Sequence, residues 1–220
     1  AGQLLNIVVG QMGGDGYMSG YYGPNTSGGG GGGTFVVTSL DSALVVAGGG
    51  NGDSWDAFET DAPDGLVGNN GTGGGVCNGR AGSGGGFIGD GISYQSDPWT
   101  FGEGGFSYIN GSIGGSRAGD VGGDGGFGNG GGSRWEGGGG GGFTGGSVVF
   151  ANDYDGYYPE YGAGSYNSGD NQENESGVNA GHGLVVIIFE GTAWISATPF
   201  SGSLAPGSTS EVSVNFDASE

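Results

Sequence analysis

Two runs of six consecutive glycines, at 28–33 and 137–142, constrain this chain more than any other feature. Shorter runs recur at 48–50, 73–75, 84–86 and 130–132, and glycine fills 63 of the 220 positions. Ordering a glycine costs about 0.5–1 kcal/mol more than ordering an alanine. A chain built this way therefore folds only if residues without side chains are given a backbone task. Collagen is excluded, because there is no sustained Gly-X-Y period and only six prolines occur. A flexible linker is disfavoured, because 33% of the residues are hydrophobic and 11% aromatic, too much apolar material for a solvated tether.

Five short apolar runs alternate with the glycines: 4–9 (LLNIVV), 35–37 (FVV), 44–47 (LVVA), 148–150 (VVF) and 184–189 (LVVIIF). They are rich in β-branched and aromatic residues and too short for helices, which predicts five buried strands. No stretch carries a 3.6-residue apolar period, so the expected fold class is all-β. The glycine runs abut these strands: GGGGGG leads into TFVV, ALVVA into GGG, and the second GGGGGG into FTGGSVVF. Such placement predicts ordered extended segments in polyproline-II-like geometry, whose N–H and C=O groups point sideways. Without Cβ atoms, neighbouring segments approach closely and satisfy one another's backbone groups. The expected scaffold of this polyglycine-II helix bundle is Gly28, Gly29, Gly30, Gly31, Gly32 and Gly33 together with Gly137, Gly138, Gly139, Gly140, Gly141 and Gly142.

Charge narrows the partners. Aspartate and glutamate total 23 against three arginines (Arg80, Arg117 and Arg134) and no lysine, a net charge of -20. Such a chain cannot neutralise a phosphate backbone, so nucleic acid is excluded as a partner, and anionic membrane surfaces are disfavoured. No stretch approaches the roughly 18–20 apolar residues of a membrane span. The single Cys77 forms no internal disulfide, and the opening AGQLLNIVVGQ has no charged n-region of an export signal.

Catalytic patterns are missing. No lysine follows a glycine run, so the many G-x-G-x-x-G matches are not phosphate loops. His182 is the only histidine, which leaves no imidazole pair for zinc and no triad. The expectation is a protein that is not an enzyme and uses no cofactor. Calcium is the one metal with candidate ligands, Asp53, Asp56, Asp61 and Asp64 in DSWDAFETDAPD, although neither an EF-hand nor a G-G-x-G-x-D repeat is present. That stretch and 152–176, where Tyr154, Tyr157, Tyr158 and Tyr161 crowd together, read as acidic aromatic loops. They either plug the scaffold or touch a ligand.

The ordered series LNIVVGQMG, GGGGGGTFVV, ALVVAGGGNG, GGFGNGGGSRWEGGGGGGFTGG and GHGLVVIIFE resembles the glycine-rich domain of the anaplastic lymphoma kinase and leukocyte tyrosine kinase receptors. Related domains occur in secreted microbial proteins. The resemblance spans residues 4–190 and implies a glycine-rich, β-sandwich-like scaffold combined with polyglycine-II helices. It also implies an extracellular, cell-surface location. The cysteines of the receptor version are missing here, apart from Cys77.

The stretch 194–220 (WISATPFSGSLAPGSTSEVSVNFDASE) resembles the opening of bacterial immunoglobulin-like repeats, which divides the chain into a glycine-rich domain (1–191) and a partial immunoglobulin-like segment (192–220). Val212, Val214 and Phe216 alternate with Ser213, Asn215 and Asp217, giving a strand with one apolar and one polar face. An immunoglobulin sandwich takes about 100 residues. This segment is therefore expected to be a truncated sandwich, or strands that pair with a neighbouring subunit, with Val212, Val214 and Phe216 as assembly residues. The expected function is a non-enzymatic extracellular structural protein, a self-assembling subunit of a surface fibre or layer whose partner is itself. The alternative is an adhesin or receptor-type module that binds a glycan or protein ligand.

Overall fold

In TFVVT, Phe35 and Val37 fall on one face of an extended strand, and Thr34, Val36 and Thr38 on the other. That phase builds the side-chain core. The structure, a computed structural model, describes residues 3–16, 27–54, 62–68, 71–77, 79–94, 99–119, 121–148, 161–188, 195–199 and 209–216. Its strands are β1 (Gln3–Val8), β2 (Thr34–Thr38), β3 (Ala43–Ala47), β4 (Tyr166–Asn167), β5 (Ile195–Thr198) and β6 (Ser210–Phe216). They form one antiparallel sheet in the order β4-β3-β2-β1-β6-β5. A 3-10 turn at Tyr108–Asn110 is the one other regular element among the described residues. The fold is all-β, as expected. Among the described residues no helix is long and apolar enough to cross a membrane.

The β2–β3 hairpin closes where the Thr38 hydroxyl accepts the N–H groups of Leu40 and Ser42, at 3.3 and 3.2 Å. Asp41 there takes φ 55°, a left-handed conformation that aspartate tolerates better than a β-branched residue. Register then sets Val8 and Val46 on either side of Phe35. These three join Val37 and Phe87 in the buried cluster, with Ala43, Tyr108, Phe127, Phe143 and Tyr166 packed around it. Phe87 stacks on Tyr108 at 4.9 Å, and Phe143 on Tyr166 at 4.4 Å. Phe87 and Phe143 directly follow the glycine runs at 84–86 and 137–142. Each aromatic ring thus pins the end of a side-chain-free segment to the sheet, and each fully buried ring contributes about 1.5–3 kcal/mol.

Beyond the strand ends the chain is built from glycine segments: 28–33 leads into β2 and 48–50 continues from β3. Gly28 and Gly31 donate to the carbonyls of Asp53 and Gly50, Gly29 and Gly32 to Gly14 and Gln11, and Gly30 and Gly33 to Gly131 and Gly128, all at 2.6–3.0 Å. Residues three apart face the same neighbour, so this one segment bonds to three others. The second long run repeats the rule. Gly138 and Gly141 donate to Gly28 and Gly31, Gly139 and Gly142 to Gly82 and Gly85, and Gly137 and Gly140 to side-chain oxygens of Ser54 and Asn51. Side chains are excluded by distance: a methyl on Gly30 would stand 2.0 Å from the carbonyl oxygen of Gly139, and one on Gly84 1.7 Å from that of Gly140.

Three of the five predicted apolar runs become β1, β2 and β3. Val148 makes an isolated bridge with Cys77, and residues 149 and 150 lie outside the described residues. The expectation of a buried strand over LVVIIF is corrected. Residues 184–188 take no strand, and Leu184, Val186 and Ile188 are 77%, 67% and 73% exposed. Both edges of β1 are paired, one with β2 and the other with β6 (Leu5 opposite Val212, Ile7 opposite Ser210), so the run finds no partner there. The expected sandwich also differs, since the described strands form a single sheet. Strand β6, from the 192–220 segment, belongs to the same sheet as β1–β3.

Candidate functional site

Residues 28–32 are flanked by 11–15 on one side and 48–53 on the other. With no side chains on Gly28, Gly29, Gly31 or Gly32, the space above them stays open. The result is a trough of about 810 Å³, closed on its far side by residues 175–184. Asp53 and Asp64, two of the four candidate calcium ligands, are exposed and line it together with Asp15 and Glu175. Asp56 and Asp61 lie outside the described residues. Among the described residues no group of three or more His, Cys, Asp or Glu side chains is arranged to hold a metal. The structure therefore brings Asp53 and Asp64 to one trough without assembling a coordination sphere.

His182 serves the trough wall. Its Nδ1 accepts the N–H of Met12 at 3.2 Å, and its carbonyl accepts the Asn179 amide at 2.9 Å. Gly183 donates to the carbonyl of Gly10 at 2.8 Å. The bonds to Met12 and Gly10 hold the 179–183 loop against the segment that follows β1, and the Asn179 bond closes the loop on itself. Cys77 is similarly internal: its thiol donates to the carbonyl of Ala81 at 2.9 Å. Burial pushes that thiol up, against the backbone hydrogen bonds that favour its charged form, and a thiol held neutral is a poor nucleophile. Two of the three arginines are also used locally. Arg117 lies 4.0 Å from Asp124, while Arg134 donates to the carbonyl of Thr100 and sits over the Trp135 ring.

Two features were not singled out by sequence reasoning. The first is a carboxylate staple. Asp90 accepts the N–H and the hydroxyl of Ser107, each at 2.7 Å, and the side-chain amide of Asn110 at 2.9 and 3.0 Å. Partial burial works against its charge, but these donors outweigh that and hold the carboxyl below its ordinary range. The second is a set of exposed apolar side chains. Tyr94 and Trp99 are 54% and 73% exposed, and Ile92, Phe106 and Ile113 are exposed as well. Tyr94 packs on Phe101 at 5.6 Å, Phe106 donates to the carbonyl of Ile113 at 2.8 Å, and Gly104 donates to the Ser93 hydroxyl at 3.0 Å. These exposed residues share no sequence period. The Asp90–Ser107–Asn110 set carried one faint signal, an Asp-Gly turn.

Of the predicted tyrosine loop, Tyr161 is exposed, and Tyr154, Tyr157 and Tyr158 lie outside the described residues. Of the predicted assembly residues, Val214 is buried and Val212 half-buried, on the face they share with Leu5 and Ala197; the side chain of Phe216 lies outside the described residues. No protein-family model and no curated protein matches the chain.

Proposed function

We propose that this protein is a non-enzymatic structural subunit displayed outside the cell, which assembles with copies of itself into a fibre or layer. The observation that carries this reading is the threefold backbone bonding of residues 28–33 and 137–142, which we assign to a polyglycine-II helix bundle. Such a lattice fixes a shape without spending side chains. Assembly is supported by the exposure of several large apolar side chains, Ile92, Tyr94, Trp99, Phe106 and Ile113 among them, which association would cover. The net charge of -20 supports an exterior setting, where it keeps subunits hydrated and makes association sensitive to salt. Electron microscopy and light scattering of the purified protein at rising salt are expected to show filaments or sheets. Monodisperse monomers under all conditions would overturn the reading.

A second reading, a ligand-binding module of a larger surface protein, is favoured by one observation: the Tyr94 and Trp99 rings stand exposed. Aromatic rings presented this way stack on sugars or anchor proteins. On a glycan array, binding abolished by Trp99→Ala is the expected result, and an array without hits would remove this reading.

A further inference from the structure

The run 28–33 is not enclosed on every side. Five segments surround it, each bonded to the next: Gly49 and Gly52 donate to Gly141 and Gly138, Gly131 to Gly139, Gly130 to Gly126, and Gln11 to Phe127. Among the described residues no backbone bond joins 11–14 to 49–53, and the trough opens between them. An extended segment with three residues per turn presents three rows of N–H and three rows of C=O groups. Here Gly28, Gly30 and Gly31 accept from Gly138, Gly126 and Gly141, while the carbonyls of Gly29 and Gly32 accept no N–H among the described residues. Both oxygens lie between the trough walls. A methyl built on Gly13 or Gly52 would stand 1.9 or 2.8 Å from the Gly29 oxygen, and one on Gly10 or Gly49 2.2 or 3.0 Å from the Gly32 oxygen. On one wall the N–H groups of Gly50 and Asp53, again three residues apart, also have no acceptor among the described residues.

The glycines of the run point the same way. A methyl on Gly29, Gly30, Gly32 or Gly33 would come within 1.9–2.8 Å of a backbone oxygen, whereas one on Gly28 or Gly31 would meet nothing closer than 3.6 or 3.4 Å. Packing within the protein therefore forbids side chains at four positions and permits them at Gly28 and Gly31, both of which line the trough. Glycine at those two positions keeps the floor clear. The walls add charge: Asp15, Asp53, Asp64 and Glu175 line the trough, and none of the described lining residues is basic.

We propose that the trough binds an extended Gly-Gly-X segment of a partner protein, with lysine or arginine at X. The segment donates N–H groups to the Gly29 and Gly32 carbonyls, accepts from the N–H groups of Gly50 and Asp53, and becomes the sixth neighbour of the run. Residues three apart share a face of such a segment. Two of every three ligand positions face the floor and walls, where only glycine lets backbones approach to hydrogen-bond distance. The third turns outward and sets its cation among the carboxylates, a complementarity that selects the partner by charge. No basic residue of this chain is preceded by two glycines, so the ligand is a different molecule and not a second copy. One subunit carries the whole site, and the inference needs neither assembly nor the exposed Tyr94 and Trp99 rings.

Fluorescence anisotropy of a labelled peptide of three Gly-Gly-Lys repeats, titrated with the whole protein, tests this. Saturable binding is expected, weakening as salt rises. Two changes to the peptide leave the protein untouched: alanine in place of each glycine obstructs the approach, and N-methylation of each glycine removes its donor. Either is expected to weaken binding about tenfold or more, and Gly-Gly-Glu repeats are expected not to bind. In the protein, Gly28→Ala/Gly31→Ala sets two methyls on the trough floor and is expected to weaken binding with the melting temperature unchanged or higher. No binding of the Gly-Gly-Lys peptide, or equal binding of its alanine or N-methyl version, would overturn the proposal. So would equal binding of the Gly-Gly-Glu peptide, or undiminished binding to the folded double variant.

Discussion

Phe35 and Gly30 are both buried, for opposite physical reasons. Phe35 is buried because its ring fills volume between Val8, Val46, Phe87 and Tyr108. Gly30 is buried because it fills none, which lets the Gly139 carbonyl come where a Cβ would otherwise stand. The sheet face is held by side chains and the glycine layer by main-chain hydrogen bonds that satisfy groups burial would leave orphaned. The two regions should therefore fail under opposite substitutions, the first when atoms are removed and the second when they are added.

The largest effect is expected from emptying the side-chain core. Phe35→Ala should cost about 3–5 kcal/mol, read as a lower urea midpoint; a loss under about 1 kcal/mol would mean the sheet does not depend on this cluster. Next comes Gly84→Ala, whose added methyl meets the Gly140 carbonyl oxygen at 1.7 Å. Overpacking of this kind costs about 1–3 kcal/mol, and a neutral result would break the comparison at its root. Gly73→Ala sharpens it from the other side, because a Cβ there meets nothing within 4 Å. With no clash, restricting the unfolded chain should stabilise by about 0.4–1 kcal/mol, seen as a higher melting temperature. The same residue type thus gives opposite signs at two positions of one layer.

The smallest effect is electrostatic. Asp90 binds Ser107, next to Tyr108, where the glycine layer meets the aromatic core. Its carboxyl titrates below the ordinary value when folded, so its contribution is complete above the unfolded pKa of about 3.9. That contribution is lost as pH falls through the lower folded value. Thermal melts should show Asp90→Asn nearer to the parent at pH 3 than at pH 7. Equal differences at both pH values would remove the staple from the account.

How much of this was legible in advance varies by residue. Strands β1, β2 and β3 were readable because Ile, Val and Phe cluster in short runs between glycines, and β-branched residues have few alternatives to a pleated surface. Strand β4, two residues long at Tyr166–Asn167, had no such run and exists because Val45 and Val46 present an edge to it. The shared trough of Asp53 and Asp64 was half legible. Their acidity was plain, but their meeting depends on Pro63 accepting the N–H of Asn51. The exposure of Ile92, Tyr94, Trp99, Phe106 and Ile113 was not legible, since they follow no period.

From its composition alone the chain was committed to strands and to glycine segments bonded through their backbones, because a residue without a side chain has only its N–H and C=O to offer. Which neighbour each segment bonds, and which strand lies beside β1, was decided in three dimensions. LVVIIF and SEVSVNF both have the pattern of a strand, yet of the two only the second pairs with β1. Which of two such segments pairs with a given strand is settled by contacts between residues far apart in the chain, which no local pattern encodes.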